Sequence, residues 1–372
     1  MRHLIIRNLG PLTEADVNLS RINIVVGPQS AGKSCLLKTA CYCAWVEKRI
    51  QLSQNPEQFG EDGYFEQRFV QFHKLDGYVS EDTYVEYEND AMKFSYTWKT
   101  RTFEFDWKEE GRWNYVCPKI SYIPAERNLV AAIPNWFEVN LNDDNIRNFM
   151  TDWETARSLV SDGLPILNLG VTYRYDKNNR KDKVVLTNGP MLAFTNTSSG
   201  LQSLIPLMVH LNFMYEMRFK HKLPKSILRV QEETRLFSVM HENILFSTEK
   251  DFSCVYKQYK EEKEIYDNFI SMRISEVFLE EPEQNLFPPT QGLLVYKLMD
   301  WARGEHGGLL FVATHSPYVV TSFIENGIED VTLFLTKENE GGRYRVCTAS
   351  KEDVQQIYDY SIDVFHNIEG IG

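Results

Sequence analysis

Eight consecutive residues, Gly27-Pro28-Gln29-Ser30-Ala31-Gly32-Lys33-Ser34, constrain this chain more than any others. They match the pattern GxxxxGK[ST]. Before them runs an apolar stretch, Ile22 to Val26; after them, from Lys33 to about Ile50, Leu36, Leu37, Ala40 and Ala44 fall on one helix face. A strand, a glycine-rich loop and a helix in that order aim successive backbone amides and the positive helix end at an anion. Gly27 and Gly32 let the amides converge, Lys33 neutralises phosphate charge, and the Ser34 hydroxyl can ligate Mg²⁺. The expected nucleotide-contacting segment is Gly27, Pro28, Gln29, Ser30, Ala31, Gly32, Lys33, Ser34 and Cys35.

Two further apolar runs end in chemistry. Val277-Phe278-Leu279 delivers Glu280-Glu281-Pro282-Glu283, where Glu280 is expected to ligate the metal and Glu281 to orient the water that attacks a γ-phosphate. Glu283 reads equally well as a solvated turn residue. Phe311-Val312-Ala313 delivers Thr314-His315-Ser316-Pro317, which places His315 near the phosphate or the attacking water. A fourth cluster, Asn196-Thr197-Ser198-Ser199-Gly200-Leu201-Gln202, precedes a helical stretch, and by itself it is an ordinary helix cap.

The rest of the chain supplies the frame. Strands are expected at His3 to Asn8 and Ala15 to Leu19 around a Gly10-Pro11 turn. The aromatic, alternating segment from about Tyr64 to Val116 reads as an antiparallel meander. A strand near Lys119 to Ile123, a helix over Asn142 to Val160, a hairpin over Val171 to Phe194, a helix over Leu201 to Met217 and a charged, mostly helical stretch over Lys225 to Ile270 follow. That charged insertion is the expected docking surface for a partner. With 372 residues, about two packed units are expected. A net charge of −12 disfavours a surface that coats nucleic acid, though it leaves a local basic patch open. Six cysteines without a framework spacing suggest reduced thiols in the cytoplasm. No secretory signal is visible, and the longest apolar stretch is too interrupted to span a membrane.

In this order the motifs resemble the ABC-type ATPase heads of the RecF, SMC and OLD-like group, especially the compact prokaryotic AAA family ATPases of antiphage defence modules. The resemblance is nearly end to end. It rests on Arg7 to Pro11, Gly27 to Ser34, Tyr122-Ile123-Pro124-Ala125-Glu126-Arg127, Ser198 to Gln202, Glu280 to Glu283 with Leu286 and Pro288, and Ala313 to Pro317. It departs at Leu201, where transporter heads have glycine, at Glu280, where aspartate is usual, and after Ile123, where no evident glutamine stands. The resemblance implies an α/β P-loop NTPase of ABC-head type with a mixed core sheet, an N-terminal antiparallel β subdomain and an inserted helical lobe. Its parts would be 1–125, 126–270 and 271–372. It also implies that ATP and Mg²⁺ are bound and ATP is hydrolysed, with Lys33, Glu281 and His315 catalytic and Ser34 and Glu280 on the metal. Ser198, Ser199, Gly200 and Gln202 would contact the γ-phosphate held by an opposite subunit, giving a homodimer or higher homo-oligomer. A separate effector, a nuclease or toxin, would be the controlled partner, since the roughly 55 residues after His315 leave no room for a nuclease domain. Two other readings stand beside it: a nucleotide-bound scaffold without turnover, and a DNA-repair head.

Overall fold

The computed structural model describes residues 2–61, 63–160, 162–221, 227–245, 263–360 and 364–371. An eleven-stranded sheet organises it, in the order β6-β5-β4-β1-β2-β15-β14-β3-β13-β12-β7. The strands are β1 (Arg2–Leu9), β2 (Leu12–Leu19), β3 (Ile22–Val26), β4 (Tyr84–Glu88), β5 (Met92–Thr97), β6 (Thr102–Trp107), β7 (Pro118–Ile123), β12 (Ile274–Glu280), β13 (Gly307–Ala313), β14 (Val331–Glu338) and β15 (Tyr344–Thr348). Strands β14, β3, β13, β12 and β7 run parallel. Their near-continuous apolar runs are what burial on both faces requires, and all five residues of β3 are buried. Strands β6, β5, β4, β1 and β2 are antiparallel, with buried positions alternating with exposed ones in β2 and with half-buried ones in β4.

The expected α/β fold with a mixed core sheet is therefore present. The antiparallel strands are one flank of the same sheet, because β15 pairs antiparallel with β14 on one side and parallel with β2 on the other. The aromatic segment begins differently from expectation. Tyr64–His73 is a helix whose buried residues Phe65, Phe69 and His73 recur every four positions, so the meander is confined to β4–β6.

Helix α1 (Lys33–Ser53) follows the loop after β3, and Tyr64–His73 is α2. Helix α3 (Asn145–Leu159) is capped by the Asp144 carboxylate, which accepts from the amides of Ile146 and Arg147 at 3.0 and 3.1 Å. A second, four-stranded sheet, β11-β10-β9-β8, is formed by β8 (Leu164–Pro165), β9 (Val171–Asp176), β10 (Lys181–Leu186) and β11 (Met191–Ala193). Helix α4 (Ser199–Asn212) follows it and continues as a π-helical segment, Phe213–Met217. Trp153 of α3, Tyr173 of β9, and Leu204 and Leu211 of α4 join one apolar core with Ile24 of β3 and Leu279 of β12. Helix α5 (Ile227–Leu245) packs against α1 through Arg49 and Glu232, and through Leu236 and Met240 beside Leu52. Most of the run Lys257 to Lys263 lies outside the described residues. After β12 come α6 (Pro288–Arg303), after β13 α7 (Pro317–Gly327) and after β15 α8 (Lys351–Tyr360). Among the described residues no helix is long and apolar enough to cross a membrane.

Candidate functional site

Parallel pairing puts the C-terminal ends of β3, β13, β12 and β7 on one edge of the sheet, and four polar segments leave from that edge. The first is the glycine-rich loop. Gly27 has φ 154°, Ser30 59° and Gly32 89°, left-handed or otherwise glycine-favoring positions that fold the chain into a concave turn of amides. Glycine is required at both ends for packing as well. A Cβ on Gly27 would stand 1.7 Å from the Thr336 hydroxyl, and one on Gly32 would meet Leu12 at 2.5 Å. Pro28, Gln29, Ser30 and Ser34 are exposed, whereas Ala31, Lys33 and Cys35 are buried.

The Lys33 ammonium donates to the carbonyls of Gly27 at 2.9 Å and Pro28 at 2.6 Å. Burial lowers its pKa to about 8, against the opposing fields of Glu281 and Glu283. Cys35 is no reactive thiolate, since burial pushes its thiol up to about 12. The negative charge of Glu280 also raises the Cys35 thiol pKa.

Glu280 ends β12, is buried, and pairs in register with Ala313 at the end of β13. Glu281 then turns with φ 43°, a left-handed conformation that costs a non-glycine residue roughly 1–3 kcal/mol. Its amide donates to the Ala313 carbonyl at 2.8 Å, and its carboxylate lies 3.9 Å from His315 Nε2. Burial, then the neighbouring Glu283 and Glu280, raise the Glu281 pKa. Burial and Lys33 lower that of His315. Lys33, Glu281 and His315 thus lie within reach of one another's charge, although they come from three different strand ends.

Two residues that sequence reasoning left unassigned hold these groups. Glu283 accepts from the His315 amide at 2.6 Å and from the Thr314 hydroxyl at 2.9 Å. Arg127, 1% exposed, donates to the successive carbonyls of Glu280 and Glu281. Its place in the short Pro124-Ala125-Glu126-Arg127 segment after a strand is the one sequence signal it carries.

Ser198 caps α4 and accepts from the Leu201 amide at 3.4 Å. Gln202 donates to the carbonyls of Thr195 and Thr197, both at 3.0 Å. Ser199 is exposed at the helix tip, and Gly200 packs closely on the Asn285 carbonyl. This cluster therefore adjoins the turn that follows Glu283. Cys41 and Cys43 are buried with raised thiol pKa values, in keeping with core packing.

Among the described residues no group of three or more His, Cys, Asp or Glu side chains could cage a metal ion. The Ser34 hydroxyl, exposed at the start of α1, and the Glu280 carboxylate, at the end of β12, are hard oxygen donors of the kind that suits Mg²⁺, which takes few protein ligands and completes its shell with phosphate and water.

No family model matches the chain, and no curated protein does. Solved structures similar to it include the Smc head domain with an extended coiled coil bound to the C-terminal domain of ScpA from Pyrococcus furiosus. That pair shares 8% identity over 97% of this chain and 100% of that one, with a TM-score of 0.45. An ATP-binding cassette of an ABC transporter shares 10% identity over 96% of each chain, with a TM-score of 0.31. The recombination mediator RecF of the RecFOR pathway shares 9% over 94% and 97%, with a TM-score of 0.32.

Proposed function

We propose that this chain binds ATP with Mg²⁺ and hydrolyses it as an ABC-type ATPase head. The observation that carries the reading is the convergence of Lys33, Glu281 and His315 on one sheet edge, beside a loop built for an anion. The loop amides and Lys33 would hold the phosphates, and Ser34 and Glu280 would hold Mg²⁺. When bound, the metal neutralises charge on the β- and γ-phosphates. Glu281 would orient the attacking water, and burial beside Glu283 and Glu280, which raises its pKa, makes it a better proton acceptor than a free carboxylate. His315 would donate toward the γ-phosphate.

Ser198, Ser199, Gly200 and Gln202 would complete the site of a second copy, across a head-to-head dimer with two nucleotides in the seam. Exposure of Ser199 supports this. The three-part division at 125 and 270, the charged insertion as a docking surface, control of a separate nuclease or toxin, and a role in antiphage defence follow from the resemblance.

Mg²⁺-dependent phosphate release tests the enzyme: wild type should turn over, while Lys33→Ala and Glu281→Gln should not. Release equal to the Lys33→Ala background favours the non-hydrolysing scaffold. Light scattering tests the dimer, with Glu281→Gln expected to dimerise only with ATP and Lys33→Ala to stay monomeric. Identical elution of both variants with and without ATP removes the sandwich. Steeply salt-dependent DNA binding would favour the repair head.

A further inference from the structure

We propose that Arg127 is a positioning residue that ties the first turns of α4 to the turn carrying Glu281, so that displacement of the Ser198–Gln202 segment reaches the catalytic carboxylate. This rests on the reading of Glu281 as the group that orients water.

Five contacts carry the inference, and every one ends on a backbone carbonyl. Nε donates to Ser203 at 3.3 Å, Nη1 to Pro124 at 3.4 Å and Glu280 at 2.9 Å, and Nη2 to Glu281 at 2.7 Å and Pro282 at 3.5 Å. Three segments meet there: the end of β7, the second turn of α4, and the turn after β12. A guanidinium alone among side chains offers five N–H donors in a rigid planar fork, so no other residue could reach all three. The left-handed backbone at Glu281 presents the carbonyls of Glu280 and Glu281 to different guanidinium nitrogens.

Burying a cation away from any carboxylate ion pair is costly, and packing alone would be served better by an apolar side chain. The bonds to carbonyls and the fields of Glu283, Glu281 and Glu280 offset part of that cost, burial still lowering the Arg127 pKa to about 10. Around the arginine the same two elements are locked again. Asn285 donates to the Ser203 hydroxyl at 2.9 Å, and a Cβ on Gly200 would stand 2.9 Å from the Asn285 carbonyl. The exposed Ser199 at the tip of α4 is thereby linked, through four residues of helix and one guanidinium, to Glu281.

Amide hydrogen exchange and turnover test this together in Arg127→Lys and Arg127→Gln. A lysine ammonium keeps the charge but has three donors at one point and cannot span the three segments. Both variants should show faster exchange at Glu281, Gln284 and Leu286, and in the first turns of α4, with the β1–β6 flank unchanged. Turnover per titrated nucleotide site should fall by about 10²-fold in the glutamine variant and less in the lysine variant, while affinity for a fluorescent ATP analogue stays within about threefold. Should the glutamine variant fail to fold, the lysine variant decides alone. Unchanged exchange in residues 281–286 would overturn the proposal, as would wild-type turnover per site in a variant. If wild type itself shows no Mg²⁺-dependent release while exchange rises as described, the ATPase reading fails and the clamp stands.

Discussion

The carboxylate of Glu283 holds the backbone amide of His315 at 2.6 Å with one oxygen and the Thr314 hydroxyl at 2.9 Å with the other. The residue that resembled a solvated acidic turn therefore fixes where the third strand end delivers its histidine. Glutamine could keep both contacts, its oxygen accepting from the amide and its nitrogen donating to the hydroxyl, whereas alanine keeps neither. Glu283→Ala is expected to lower turnover by about 10²-fold through misplacement of His315, with nucleotide affinity retained. Steady-state phosphate release beside analogue binding checks this, and equal turnover would return Glu283 to the solvent.

Lys33 gives a pH signature. Burial lowers its pKa to about 8, and phosphate binding needs the protonated ammonium. Affinity for an ATP analogue should be flat below that value and fall by about tenfold per pH unit above it, as the free protein loses the proton that the complex must regain. Fluorescence titration across the range reads the break directly. An affinity that does not weaken above about pH 8 would mean that the ammonium is not a binding group.

Two buried histidines should make the fold acid-sensitive. Burial and the Lys38 charge lower His73 to about 3, where it packs among Tyr42, Phe69, Phe72 and Tyr122. Burial lowers His210, bonded to the Ser121 hydroxyl at 2.7 Å, to about 4. The unfolded chain takes up these protons near pH 6.5 and the folded one does not, so stability falls as pH drops below ~6.5, by roughly 1.4 kcal/mol per unit for each histidine. The loss saturates once each folded pKa is passed. His73→Phe should remove one such slope in urea unfolding at a series of pH values; an unchanged slope refutes the assignment.

A buried charge network braces the strand that carries Glu280. Arg2 pairs with Glu276 of β12 at 2.8 Å and Glu47 of α1 at 3.2 Å, and the Tyr87 hydroxyl donates to Glu47 at 2.6 Å. Arg2→Met would strand two carboxylates that are 2% and 6% exposed, at a cost of about 3 kcal/mol. Arg2→Met combined with Glu276→Gln should recover part of that stability, since one of the stranded charges is gone. Thermal unfolding of both variants checks it, and an additive loss would show that Glu276 is not charged in the fold.

Several parts were legible because they are local. The loop from Gly27 to Ser34 needs glycine at fixed offsets between a strand and a helix, and the runs ending at Glu280 and Ala313 are continuous enough to announce buried parallel strands. Ser198 caps a helix by side-chain acceptance, in keeping with its place before a helical stretch. Tyr64–His73 was misread because aromatic richness outweighed its four-residue spacing. Phe65, Phe69 and His73 show that the helical period was there to be counted.

What the sequence by itself determined is the set of short-range choices: which backbone can turn, which run can be buried, which residue types stand at strand ends. Tertiary structure alone decided which of those ends meet. Arg127 reaches the Glu280 carbonyl across 153 positions, and β15 joins the antiparallel flank to the parallel core by pairing with β2. Neither contact leaves a periodic trace, because a hydrogen bond between distant segments depends on where the whole chain places its donors and acceptors.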